Sequence, residues 1–128
     1  MANPGKKIVG VLSDLMFMVK IQETAKRAGV ESVFVKSQAE ALAQAKENPA
    51  VMILDLNYGA SKPLELIAAL KGNQATRDIS LLGYVSHVQV DLRRAAEEKG
   101  CDVVVARSAF SQNLPELLSR FLPNELGS

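Results

Sequence analysis

Asp55 ends the apolar run Val51-Met52-Ile53-Leu54 and leads into Leu56-Asn57-Tyr58-Gly59, a loop without hydrophobic continuity. A carboxylate at the tip of a buried strand is placed for chemistry, because open parallel α/β sheets gather ligands outside the carboxyl ends of their strands. Other polar groups sit at equivalent boundaries: Ser13 and Asp14 after Ile8–Leu12, Ser37 after Ser32–Val35, Ser86 and His87 after Ile79–Val85, Arg107 and Ser108 after Val103–Ala106. Two carboxylates and a loop carbonyl supply part of an octahedral oxygen shell for Mg²⁺, with waters completing it. A phosphoryl group on Asp55 would then meet the metal, the Ser86 hydroxyl and the Arg107 cation, the kinds of group that neutralise phosphoryl oxygens during transfer. Plainer roles compete for the same residues. Asp14 can cap a first helix, Ser86 can cap a fourth, and Arg107 can pair with Asp55 or Asp14.

The elements that must position these groups follow from the apolar pattern. The runs above are mostly continuous and β-branched rather than alternating, which fits strands covered on both faces. Between them, Leu15–Ala28, Ala39–Lys46, Leu64–Lys71, Leu92–Lys99 and Leu114–Leu122 have helical length and spacing, with Leu15, Val19 and Ala25 assigned to the core face of the first. Gly29, Gly72 and Gly100 follow segments ending in basic residues, as expected of left-handed helix stops. Ser37-Gln-Ala-Glu40 and Ser86-His-Val-Gln89 fit capping boxes, and Pro63 and Pro115 suit first helical turns. Strand and helix thus alternate as (βα)5, which right-handed crossovers fold into a doubly wound parallel sheet with helices on both faces.

The chain has 128 residues, 48% of them hydrophobic and 23% charged, so one globular domain with a real core is expected. Its core runs from about residue 7 to 122, and 123–128 is expected to form a frayed tail. A net charge of +1 offers no broad attraction for nucleic acid or membrane, and no helix-turn-helix pattern occurs. The N-terminal apolar run is too short for a signal peptide or membrane span, which makes the cytoplasm the expected location. Cys101 is the sole cysteine, so an intrachain disulfide is excluded and a buried thiol is expected. A small flavin- or nucleotide-binding protein is the alternative use of such a fold. However, Ser13-Asp14-Leu15-Met16 lacks a phosphate cradle, and neither Walker nor dinucleotide glycine patterns occur. His87, the single histidine, reads as a polar surface group, and some of Met16, Phe17 and Met18 read as exposed.

Taken together, Ile53-Leu-Asp55-Leu-Asn57, Ser86 and Arg107 resemble a response-regulator receiver domain over most of the chain, Lys7 to about Leu122. The resemblance implies a three-layer flavodoxin-like (CheY-like) fold with strand order 2-1-3-4-5. It makes Asp55 the phosphoacceptor, Asn57 the residue whose carbonyl binds the metal, and Ser86 the hydroxyl that follows the phosphoryl group. Any catalysis would be limited to autophosphorylation and autodephosphorylation at Asp55. The departures define an atypical or pseudo-receiver. Leu12 and Ser13 stand at the usual acidic pair, leaving Asp14 as the one nearby carboxylate and weakening the case for Mg²⁺. Arg107 replaces a lysine, and its planar fork tends to lock onto a carboxylate. Val104 replaces the aromatic switch residue, with Tyr84 lying on the preceding strand. The implied role is a stand-alone two-component or phosphorelay module acting through protein contacts, with a histidine kinase or scaffold as partner. As a monomer or weak homodimer, it would use the face formed by Leu92–Lys99 and Gln112–Phe121.

Overall fold

The computed structural model describes residues 7–86 and 89–122. Five parallel strands, β1 (Lys7–Val11), β2 (Glu31–Val35), β3 (Val51–Asp55), β4 (Ser80–Val85) and β5 (Val103–Ala106), form one sheet in the order β2-β1-β3-β4-β5. The helices are α1 (Leu15–Arg27), α2 (Gln38–Ala45), α3 (Pro63–Lys71), α4 (Val90–Glu98), α5 (Arg107–Gln112) and α6 (Leu114–Ser119), and Gly59–Ser61 adds a 3-10 turn. This is the expected flavodoxin-like α/β architecture, with a hydrophobic layer on each face of the sheet.

The continuous apolar strands follow from that double cover. Along β3 the side chains alternate, so Met52 and Leu54 join Leu66, Ile67 and Leu70 of α3, while Val51 and Ile53 join Phe17 and Ile21 of α1. The same two-residue period turns Asp55 toward the α1 side, at the edge of the second layer. Each fully buried aliphatic or aromatic side chain contributes about 1.5–3 kcal/mol, so the paired layers and not the polar tips dominate stability.

The Ser37–Glu40 cap, the Gly29 and Gly100 stops and the buried thiol are as expected. The Glu40 amide donates to Ser37 Oγ at 3.1 Å, and Glu40 Oε1 accepts from the Lys36 amide at 3.1 Å, a capping arrangement displaced by one residue. Gly29 and Gly100 adopt φ +76° and +114°, left-handed stops that a side chain would strain. Cys101 is buried, and desolvation pushes its thiol up to about 11. No described helix is long and apolar enough to cross a membrane.

Other expectations are corrected. In α1 the core face is Phe17, Ile21 and Ala25, whereas Leu15 is 73% exposed and Val19 52% exposed. Met16 is exposed, as expected for some of the Met16–Met18 triplet, while Phe17 is buried and Met18 packs partly against the core. Gly72 is right-handed at φ −84°, so α3 ends without a left-handed stop. Ser86 does not cap α4, which starts at Val90 after Gln89 and has no side-chain cap; His87 lies outside the described residues, as does the expected tail 123–128. The single final helix is instead two short ones, starting at Arg107 and broken at Asn113 (φ −117°, ψ 23°). Pro115, in the first turn of α6, explains the break, since its ring would clash with a continuing helix.

The assignment of α1 makes a direct test. Ile21→Ala is expected to cost about 2–5 kcal/mol, as for other fully buried aliphatics. Leu15→Ala should stay within about 0.5 kcal/mol. Urea midpoints of the two variants measure this, and the reverse ranking would place the core on the Leu15–Val19 face.

Candidate functional site

The strand order places the tips of β3 and β4 between those of β1 and β5. Asp14 follows β1, Asp55 ends β3, Ser86 follows β4 and Arg107 opens α5 directly after β5. The fold therefore brings the sequence-predicted residues to one end of the sheet. Of the roles open to them, Asp14 takes the cap of α1 and Arg107 the pairing with Asp14.

Arg107 bonds to Asp14 and not to Asp55: its Nη2 donates to Asp14 Oδ2. The guanidinium carbon lies 4.4 Å from the centroid of the Phe17 ring, a cation–π position. Asp14 Oδ1 accepts from the Phe17 amide at 3.2 Å, which caps α1. One carboxylate thus serves a helix start with one oxygen and a salt bridge with the other. Burial opposes its charge, but the Phe17 amide and the Arg107 bond outweigh it and hold Asp14 below the usual carboxylate range.

Asp55 has the opposite electrostatic setting. Desolvation pushes its carboxyl above the usual range, only partly offset by the Asn57 amide, the Arg107 charge and Tyr84. The Asn57 amide donates to Asp55 Oδ1 at 2.9 Å, and Asn57 Oδ1 accepts from the Ser86 amide at 2.7 Å. Asn57 therefore ties the tips of β3 and β4 together through its side chain. Tyr58 extends the tether, donating from its hydroxyl to the Lys36 carbonyl at 2.9 Å.

Sequence reasoning missed the aromatic floor of the site. Tyr84 is the register partner of Asp55 on β4 and is fully buried. Its ring stacks on Phe110 at 4.7 Å and 23°, and meets the Phe17 ring edge-on at 5.2 Å and 63°. The Tyr84 hydroxyl lies near enough to Asp55 to bias its ionisation, yet among the described residues no partner satisfies hydrogen-bond geometry. Desolvation, followed by the Asp55 charge, pushes that phenol far above its ordinary range. The available signals were the four-residue spacing of Phe17, Ile21 and Ala25, and the alignment of Tyr84 with Asp55.

The donor set does not fit a divalent cation. Both Asp14 oxygens are engaged, Leu12 is buried, Ser13 is neutral, and one Asp55 oxygen accepts from the Asn57 amide. Among the described residues, no group of three or more His, Cys, Asp or Glu side chains is placed to hold a metal. That set is too poor in free anionic oxygen for Mg²⁺.

Neither family models nor curated protein sequences give a match to this chain. Solved structures do. The phosphorylated cyanobacterial phytochrome response regulator RcpA superposes with TM-score 0.76 at 21% identity, over 91% of this chain and 90% of its own. The Vibrio cholerae chemotaxis response regulator CheY4 gives 0.79 at 19% identity, over 92% and 99%. The Mn²⁺-bound form of response regulator Rcp1 gives 0.71 at 18% identity, over 90% of each chain. These likenesses show the fold: the chain folds as the CheY-like response regulators do.

The two carboxylates make opposite pH predictions. A carboxyl whose folded pKa exceeds its unfolded value stabilises the fold below the unfolded pKa and loses that contribution as pH rises through the folded pKa. Asp55 is of this kind, so Asp55→Asn is expected to raise the melting temperature at neutral pH. The increase should vanish below about pH 4, where the carboxyl is protonated in both states. Asp14, with its lowered pKa, instead stabilises above its unfolded pKa and loses that contribution on acidification, equally in both proteins. Melting curves of wild type and variant across this range are the check; an increase that grows with acidity would refute the placement of Asp55.

Proposed function

We propose that this chain is a receiver-like signalling module that acts through protein–protein contacts in a form independent of Asp55 phosphorylation. The observation that carries the reading is the Arg107–Asp14 bond, which commits the strand-five cation to a carboxylate beside the phosphoacceptor position. A phosphoryl group adds roughly 1.5–2 negative charges and needs cations to receive it. Here burial already raises the Asp55 carboxyl above its usual range, and the Arg107 guanidinium is bonded to Asp14. Asn57 and Ser86 keep receiver-like positions, but their side-chain-to-amide bond serves to hold the loop. The receiver fold of response regulators supports the signalling role. A histidine kinase or scaffold in the cytoplasm is the proposed kind of partner, met through α4, β5 and the final helices.

Incubation with Mg²⁺ and a small phosphodonor, followed by intact-mass measurement, tests the constitutive form. The expected result is an unchanged mass. A gain of one phosphoryl group that disappears in Asp55→Asn would overturn it. Pull-downs should recover the same signalling partner with wild type and Asp55→Asn; recovery of none would count against the signalling role itself.

A further inference from the structure

With Phe17, Ile21 and Ala25 facing the sheet, helical periodicity puts Leu15, Met16, Val19, Glu23, Lys26 and Arg27 on the opposite half of α1. The first three are 73%, 69% and 52% exposed, and among the described residues Val90, on the other layer, is the only other large apolar side chain so exposed. The outer half of a helix is convex, so these side chains form a ridge and not a groove. Charge is uneven on the same side. Past its apolar end α1 carries Lys20, Lys26 and Arg27 against Glu23, and α6, which packs on α1, adds Arg120 against Glu116; all are exposed. Arg107 adds nothing to this, because Asp14 pairs with it. Four cations against two carboxylates, in a chain of net charge +1, leave the rest of the chain net negative. The broad attraction that a charge of +1 denies the whole molecule is thus retained by one face.

We propose that the outer face of α1 is a peripheral membrane contact: Leu15, Met16 and Val19 enter the headgroup region of an anionic bilayer, while Lys20, Lys26, Arg27 and Arg120 meet its lipid headgroups. Shape, area and charge select this occupant. A helix lying in the interface buries its apolar face by about 5–10 Å, within reach of projecting side chains, and a fluid bilayer needs no complementary groove. A standard protein–protein contact buries about 800 Å² on each side over roughly 20–30 residues, more than three projecting side chains offer. Cations near the surface of an anionic leaflet each add to binding, and the long stems of Lys26 and Arg27 let their charges reach it from the far end of the helix. Glu23, in the middle of the face, works against the same field and keeps the contact weak and dependent on lipid charge. No described helix is long and apolar enough to cross a membrane, so the contact is superficial. It involves none of Asp14, Asp55, Asn57 or Ser86 and stands whether or not the module has the proposed signalling role.

Co-sedimentation of the full chain with lipid vesicles provides the test. An equal mixture of phosphatidylcholine and phosphatidylserine is expected to hold half of the protein at on the order of 0.1–1 mM lipid, comparable with or weaker than a single myristoyl chain. Phosphatidylcholine alone should bind about tenfold less, as should the anionic mixture at high salt, where the headgroup attraction is screened. Leu15→Ser with Met16→Ser, and separately Lys26→Glu with Arg27→Glu, should each weaken binding about tenfold or more. The two pairs are exposed at opposite ends of α1, so either remains decisive if the other does not fold. Glu23→Gln should strengthen binding about fivefold. No sedimentation with anionic vesicles, or binding indifferent to lipid charge or to both pairs of substitutions, overturns the proposal. Sedimentation equilibrium without lipid supplies the last outcome: a dimer that Leu15→Ser with Met16→Ser dissolves would assign the patch to a second copy and overturn it too.

Discussion

The salt bridge between Arg107 and Asp14 organises the carboxyl end of the sheet. Strand order 2-1-3-4-5 separates β1 from β5 by two strands, so a bond between their following residues must run across the tips of β3 and β4. Phe17 makes that crossing possible. It enters the α1 core stripe one turn before Ile21, and its ring presents a face to the guanidinium while its amide donates to Asp14. A single short segment, Asp14 to Phe17, thus caps a helix, holds a cation and packs the aromatic floor.

Magnitudes separate what the bridge does for stability from what it does for chemistry. Pairs as exposed as this one contribute about 0–1 kcal/mol, and a cation–π contact about 0.5–1 kcal/mol at exposed sites. A single buried aliphatic side chain exceeds either. The two hydrophobic layers therefore hold the fold together, and burial, modified by the bridge and by backbone amides, biases the carboxyls at the end of the sheet. Burial raises the Asp55 carboxyl above the usual range, whereas the Phe17 amide and Arg107, working against burial, lower that of Asp14. Carboxylates at neighbouring strand tips thus acquire different properties from burial and hydrogen bonding.

Much of this was legible in the chain. Continuous β-branched runs require strands buried on both faces, and Asp55, ending one of them, could lie only at a sheet end. The residues gathered at that end, including Asn57 and Ser86, follow from alternation and strand order. The phase of α1 was not legible from its start, because Leu15 to Val19 are all apolar and carry no periodic signal; Ile21 and Ala25 fix it. The choice of Arg107 partner was equally hidden, since it depends on where the Phe17 ring lies. Pro115 announced a helix start, but the preceding turn, Arg107 to Gln112, has Phe110 as its one large apolar residue and no pattern to reveal it. The Gly72 stop failed for a simple reason: α3 runs into a series of turns in which a right-handed residue suffices.

A double-mutant cycle between positions 14 and 107 tests the central claim most directly. Asp14→Asn keeps a good helix cap while removing the charge, and Arg107→Gln keeps the side-chain stem. Stabilities of wild type, both single variants and the double variant, from urea unfolding at low salt, give the coupling energy. The expected value is about 0.6–1 kcal/mol, at the upper end for exposed ion pairs because the geometry is fixed by Phe17 and the cap. Additivity within about 0.3–0.5 kcal/mol would show that Arg107 is not committed to Asp14.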